Sequence, residues 1–108
     1  MADKTITNLS SNTDFDKTIS QGVALIDFWA PWCAPCKMQL PVLEELARET
    51  EDGVIIGKVD IDESIDIAGK FDVQAIPTLI LFKNGNEVQR FIGVQSKETL
   101  STEIAKTL

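Results

Sequence analysis

Two strongly apolar segments, at residues 23–30 and 54–62, constrain the fold more than any other feature of this sequence. Both contain long apolar runs rather than strict alternation with polar residues, a pattern typical of strands that are covered on both faces. Between them, residues 37–50 carry apolar side chains at helical spacing, and Gly53 follows as a helix-ending residue. A strand, a helix and a strand in this order predict a parallel pair joined by a right-handed crossover.

The second half of the chain predicts an antiparallel hairpin. Asn84 and Gly85 form a strong turn signal, because both central residues of a type I′ turn need a positive φ. This turn is expected to join a strand at residues 78–83 to another at residues 87–92. The parallel pair and the hairpin together predict a mixed α/β sheet with helices on both faces.

The remaining elements are shorter or lie near the chain ends. Ser96 is expected to cap a final helix in which Leu100, Ile104 and Leu108 are spaced by four residues. The other predicted elements are an edge strand at residues 5–9 and helices at residues 13–20 and 63–71. No repeat or linker interrupts the sequence, so residues 1–108 are predicted to form a single domain.

Composition excludes several classes of function. The net charge of −7 gives no attraction for a phosphate backbone, so we expect no nucleic-acid partner. The chain has no histidine, which excludes Ser-His-Asp and Cys-His catalysis and any histidine metal site. Two cysteines cannot supply a four-thiolate zinc site within one chain, and we expect no metal.

The expected location follows from the apolar segments. The N-terminus has no apolar core typical of a signal peptide, and no segment approaches the ~20 apolar residues that span a bilayer. We therefore expect a cytoplasmic protein that does not associate with membranes. In a reducing cytosol, two neighbouring cysteines more often serve catalysis or metal binding than structure.

The two cysteines, Cys33 and Cys36, lie where the first apolar strand ends and the long helix begins. At this position the helix N-terminus stabilises a thiolate on Cys33, and Pro35 suits the first helical turn. A crosslink that closes so short a loop adds only about 2 kcal/mol of stability in the chain-entropy model. Spacing and context therefore favour redox chemistry over two alternatives, a metal site shared between chains and a merely structural pair.

Residues 27–37, followed by Pro41, resemble the active-site segment of the thioredoxin family. Further matches follow in order at residues 58–60, 76–78 and 82–85 and at Gly93, so the resemblance covers nearly the whole chain. It implies the thioredoxin fold, in which four helices flank a mixed five-stranded sheet. One residue departs from the family pattern, since Ala34 stands where glycine is usual. This change leaves the fold and the reaction type intact and bears on the redox potential.

The resemblance implies a protein-disulfide reductase that carries electrons and maintains cellular redox homeostasis through a redox-active Cys33–Cys36 disulfide. Cys33 would attack a substrate disulfide as the nucleophile, and Cys36 would resolve the mixed disulfide. No cofactor would be bound. Electrons would come from NADPH through a flavin-containing thioredoxin reductase, and the other partners would be disulfide-containing client proteins of a monomeric chain.

Asp27 is the candidate for proton transfer to and from Cys36. It interrupts an apolar strand, where an unpaired carboxylate is costly and its pKa is expected to rise. The family match assigns it a functional role. Lys58, on the adjoining predicted strand, is expected to reach Asp27 and moderate its pKa.

The segment Ile76-Pro77 resembles the cis-proline loop that faces the cysteines in this family. A cis bond would expose the Ile76 backbone for short β-pairing with an extended substrate. Trp29 is expected to pack in the core under the active site. The predicted substrate-binding surface consists of Trp32, Ala34, Pro35, Ala75, Ile76, Pro77, Gly93 and Val94.

Two other classes of function stay open at this point. An oxidase or isomerase would carry out the same exchange with a more oxidising cysteine pair. A binding module would act as a redox-independent subunit of another protein.

Overall fold

The computed structural model describes residues 5–108; residues 1–4, on which the expected lack of a signal peptide partly depends, lie outside the described residues. Residues 5–108 fold into five strands and four helices. Their bounds are β1 Thr7–Asn8, α1 Asn12–Ile19, β2 Val23–Trp29, α2 Ala34–Glu49, β3 Val54–Asp60, α3 Ile65–Lys70, β4 Thr78–Lys83, β5 Asn86–Ile92 and α4 Lys97–Thr107.

The five strands form one mixed sheet in the order β1-β3-β2-β4-β5. Strands β1 and β2 are both parallel to β3, while β4 is antiparallel to β2 and β5. The predicted parallel pair with its helical crossover and the predicted hairpin are therefore confirmed, as is the five-stranded sheet with four helices.

Each face of the sheet carries its own apolar core. Helices α1 and α3 cover one face, where Phe15 packs with Phe28 and Phe82. Helices α2 and α4 cover the other, where Leu43 and Leu100 pack against Leu25 and its neighbours in the sheet. Because successive side chains of a strand point to opposite faces, β2 is buried on both sides, as its continuous apolar run predicts.

Local sequence signals account for the helix starts and the hairpin turn. The hydroxyls of Ser11 and Ser96 accept hydrogen bonds from the backbone N–H groups three residues further on, at α1 and α4. Asn84 and Gly85 have φ values of 50° and 88°, as the predicted type I′ turn requires.

Some predicted boundaries differ from the structure. β1 has only two residues instead of the predicted segment 5–9, because it pairs only with Gly57 and Lys58 of β3. α2 begins at Ala34, ahead of the apolar periodicity that starts at residue 37 and in agreement with the predicted positions of Cys33 at the helix N-terminus and of Pro35 in the first turn. α3 is confined to Ile65–Lys70, because residues 60–63 form a turn around the Asp60 carboxylate.

None of the helices within residues 5–108 is long and apolar enough to cross a membrane.

Candidate active site

The cysteine pair lies at the N-terminus of α2 and forms a disulfide, with 5.2 Å between the two Cα atoms. Cys33 is the N-cap residue, with extended backbone geometry, and its sulfur accepts a hydrogen bond of 3.3 Å from the backbone N–H of Cys36. The helix N-terminus thus directs a backbone N–H at the Cys33 sulfur. This arrangement stabilises a thiolate on Cys33 when the disulfide is reduced.

The two cysteines differ in their exposure to solvent. Cys33 keeps 6% of its surface exposed, whereas Cys36 is completely buried. Ala30 completes their cluster, and the half-buried side chains of Trp29, Ile61 and Ile76 pack against it. A reacting molecule can therefore approach Cys33, while Cys36 can be reached from within the protein only.

Asp27 lies in the middle of β2 and is completely buried. Strand alternation places its side chain with those of Val23 and Leu25, on the sheet face that α2 covers. Among residues 5–108, neither of its carboxylate oxygens has a hydrogen-bond partner. Burial raises the pKa of Asp27 from 3.8 to about 7, as the sequence predicts in direction, while the positive charge of Lys58 opposes the rise.

Lys58 is the direct neighbour of Asp27 in the register between β2 and β3. Its side chain is on the same sheet face, but its ammonium nitrogen lies over the ring of Trp29, 4.9 Å from the centroid. The cation thus acts on Asp27 through its charge rather than through a hydrogen bond. Trp29 is half-buried against the cysteine cluster, in agreement with the predicted packing role.

Two loops border the cysteines. The Ile76–Pro77 peptide bond is cis, as the resemblance implies, and the carbonyl oxygen of Ile76 lies 3.9 Å from the Cys33 sulfur. Gly93, with a φ of 91°, donates its backbone N–H to the carbonyl oxygen of Pro77 over 2.8 Å. Because these contacts connect the loops to each other and to Cys33, the predicted site segments come together around one sulfur.

Most of the predicted substrate-binding residues form an exposed border around Cys33. The Trp32 side chain is 67% exposed and Val94 is 44% exposed. Ala34, Pro35 and Ala75 are also exposed, whereas Ile76 and Gly93 are half-buried. Pro77 is buried, so its ring lies beneath this surface.

Asp62 takes part in the site, although the sequence analysis did not select it. Its carboxylate accepts a hydrogen bond of 2.7 Å from the Trp32 indole N–H, which holds the exposed ring in place. Asp60 in turn accepts hydrogen bonds from the backbone N–H groups of Asp62 and Glu63. The sequence signal was an aspartate two residues after another at a strand end, a common turn-forming arrangement.

Gln39 was also missed. It is completely buried in α2, one turn after Cys36 and in line with the apolar residues that face the sheet. Its side-chain amide donates to the backbone carbonyl of Gln95 over 3.0 Å and accepts from the backbone N–H of Gln95 over 2.7 Å. A polar residue at helical spacing within an apolar stripe was the available signal.

Residues 5–108 contain no group of three or more histidine, cysteine, aspartate or glutamate side chains that could hold a metal ion.

Comparison with known proteins agrees with the geometry. The thioredoxin family pattern matches residues 6–106. A thioredoxin from Staphylococcus aureus is 49% identical over 98 residues, which cover 91% of this chain and 94% of that protein. Among solved structures, a variant thioredoxin from Halobacterium salinarum NRC-1 superposes with a TM-score of 0.92 at 33% identity, covering 99% of this chain and 94% of the other. The thioredoxin of Malassezia sympodialis superposes with a TM-score of 0.85 at 35% identity and the same coverage.

Proposed function

The chain belongs to the thioredoxin family and is a thiol–disulfide oxidoreductase of the protein-disulfide reductase type, and we propose that Cys33 and Cys36 divide its reaction between them. The observation that carries the proposal is the position of the disulfide at the start of α2, with one sulfur reachable and the other enclosed. We propose further that residues 1–108 act as a single monomeric domain in the cytoplasm.

In the first step, the Cys33 thiolate attacks one sulfur of a substrate disulfide. A mixed disulfide forms, and the other substrate sulfur leaves as a thiolate that takes up a proton. In the second step, Cys36 gives its proton to Asp27 and attacks the Cys33 sulfur. The Cys33–Cys36 disulfide forms, the second substrate thiol is released, and the substrate has gained two electrons.

Asp27 suits the second step because its pKa of about 7 lies close to neutral pH. A carboxylate with an ordinary pKa would be a weaker base, and one with a pKa far above neutral pH would stay protonated. Lys58 contributes by keeping the pKa from rising further. Asp27 and Cys36 are both completely buried in the layer between β2 and α2, where bulk water cannot take the proton instead.

The cycle closes when the Cys33–Cys36 disulfide is reduced again. We propose that a flavin-containing thioredoxin reductase supplies the two electrons from NADPH. The exposed residues around Cys33, including Trp32, Ala34, Pro35, Ala75 and Val94, would contact both this reductase and the client proteins. Half-buried Ile76 and Gly93 would contribute backbone, and Pro77 would shape the loop from below.

Single-cysteine variants test the division of roles. Cys36→Ser should accumulate a mixed disulfide with a protein substrate, because nothing resolves it, and Cys33→Ser should trap none. Mass spectrometry of the trapped species, with the double variant as control, gives the result. Trapping by Cys33→Ser instead would reverse the assignment. If the double variant, which has no redox-active cysteine, kept the full biological function of the parent, a redox-independent role would be favoured.

A further inference from the structure

The side chain of Gln39 makes a two-point contact with the backbone of Gln95. One hydrogen bond runs in each direction, 3.0 Å to the carbonyl oxygen and 2.7 Å from the N–H, as between neighbouring strands of a sheet. Gln39 is completely buried, so an amide that lacked these partners would be costly there. The contact therefore fixes the loop at residues 93–95 to helix α2, one turn beyond Cys36.

The same loop is also attached on its other side. The backbone N–H of Gly93 donates to the Pro77 carbonyl over 2.8 Å, and the Gln95 side chain donates to the Gly93 carbonyl over 3.3 Å. The neighbouring Ile76 carbonyl lies 3.9 Å from the Cys33 sulfur. A closed ring of contacts thus runs from Cys33 through both loops to Gln95 and returns through Gln39 along α2.

We infer that Gln39 is a positioning residue that holds the 93–95 loop at the height at which an extended polypeptide can lie across Cys33. This inference rests on the proposed function. The Gln39 side chain forms its hydrogen bonds with Gln95, and the hydrogen bond to the Cys33 sulfur comes from the Cys36 N–H instead. Loss of the Gln39 amide should therefore weaken binding of protein substrates and leave the chemistry of the cysteines unchanged.

The test compares two disulfide substrates in the full-length protein. Gln39→Met keeps the length of the side chain and removes both hydrogen bonds. With dithiothreitol as the reductant, we expect the KM for insulin disulfides to rise three- to tenfold while kcat stays within twofold. The single-turnover rate at which the pre-reduced protein, freed of dithiothreitol, reduces the small disulfide 5,5′-dithiobis(2-nitrobenzoate) should also stay within twofold, since this molecule needs no loop contact.

Two matched variants serve as controls. Gln21→Met makes the same change at an exposed position at the far end of β2 and should alter neither KM nor kcat. Gln95→Ala removes the side-chain hydrogen bond to the Gly93 carbonyl but keeps the backbone groups that Gln39 binds, so its KM should rise by less than that of Gln39→Met. If Gln95→Ala raised the KM as much as Gln39→Met, the backbone contact would not be the cause and the inference would be wrong.

Other outcomes also decide the question. An unchanged KM for insulin in folded Gln39→Met, or an equal loss with both substrates, would overturn the positioning role. Failure of the parent chain to reduce either substrate would instead refute the proposed function. Gln39→Glu, which keeps the acceptor for the Gln95 N–H but cannot donate when ionised, should raise the KM at least threefold.

Hydrogen exchange of the unmodified protein tests the inference without depending on whether a variant folds. The backbone N–H groups of Gln95 and Gly93 should exchange with solvent at least a hundredfold more slowly than that of Val94, which has no hydrogen-bond acceptor within residues 5–108. Equal exchange rates at all three would mean that the loop is not held, and the inference would fail.

Discussion

Asp27 and Gln39 are both completely buried polar side chains in the layer between β2 and α2, yet they differ in their hydrogen bonding. The Gln39 amide has a partner for its donor and its acceptor, both on Gln95. The Asp27 carboxylate has no hydrogen-bond partner among residues 5–108. The same layer thus contains one polar group with a hydrogen bond at both its nitrogen and its oxygen and one that has none.

The difference separates a structural group from a chemical one. A paired neutral amide has no reason to change state, so Gln39 can only hold two segments together. An unpaired buried carboxylate is destabilised when ionised, which brings its proton affinity into the range where it exchanges protons near neutral pH. The burial that destabilises the ionised Asp27 carboxylate therefore also gives it a pKa suited to proton transfer.

The largest expected effect is on stability at high pH. Because the pKa of Asp27 is about 7 in the folded chain and about 3.9 in an unfolded one, the folded state holds the extra proton between these values. Stability from this group is therefore complete below pH 4 and is lost as the pH rises towards 7. The free energy of unfolding of Asp27→Asn, taken relative to that of the parent, should therefore rise by about 4 kcal/mol from pH 4 to pH 8.

Denaturant melts of the oxidised protein at both pH values measure this gain. The unpaired amide that this substitution introduces adds a cost that is the same at both pH values, so the difference between them isolates the carboxylate. A constant stability difference would mean that Asp27 has an ordinary pKa and that its contrast with Gln39 is only geometrical.

The second largest effect is expected on the resolving step. Asp27→Asn should slow the attack of Cys36 on the mixed disulfide by roughly a hundredfold at pH 7, since Cys36 then lacks a base. Gln39→Met should leave this step within a few-fold of the parent. Stopped-flow single turnovers that follow the decay of the mixed disulfide compare the two variants, and equal rates in both would remove the proton-transfer role of Asp27.

The third effect concerns Gln39 and should not depend on pH. Gln39→Met leaves the Gln95 N–H and carbonyl without their side-chain partner, which costs about 1–3 kcal/mol. No group that titrates between pH 4 and pH 8 takes part in the contact, so the loss should be the same at both values. Gln21→Met is the control, and a loss that varied with pH as strongly as that of Asp27→Asn would contradict the distinction between the two residues.

The smallest effect comes from Lys58, whose charge lowers the pKa of Asp27. Lys58→Met should move the midpoint of the pH–rate profile of the resolving step upwards by up to about one pH unit. Lys17→Met removes the same charge from α1, on the opposite face of the sheet, and should leave the midpoint in place. A downward shift with Lys58→Met would show that the ammonium does not act on Asp27.

The sequence predicted the sheet because its signals are local, whereas most of the candidate site residues came from the resemblance to the thioredoxin family. The continuous apolar run of β2, the Asn84-Gly85 turn and the Ser96 cap each depend on a few neighbouring residues. The raised pKa of Asp27 was predictable in the same way, since a carboxylate in the middle of a strand that is covered on both faces is shielded from water.

What the sequence did not predict depends on contacts between distant segments. The Gln39 amide meets Gln95 from 56 positions away, and the Trp32 indole meets Asp62 from 30 positions away. Lys58 lowers the pKa of Asp27 through its charge, but its ammonium nitrogen lies over the Trp29 ring. Strand pairing determines which residues are neighbours, but it does not determine which of several nearby groups a long side chain selects.

The enclosure of Cys36 also affects how the protein withstands oxidative damage. A peroxide that enters from solvent meets Cys33 first, because Cys36 has no exposed surface. A sulfenic acid formed on Cys33 would lie beside a preserved thiol and would condense with it, releasing water and forming the ordinary disulfide before irreversible oxidation to sulfinic acid. Oxidation of Cys33 by a peroxide would thus produce the Cys33–Cys36 disulfide, which is already a state of the catalytic cycle.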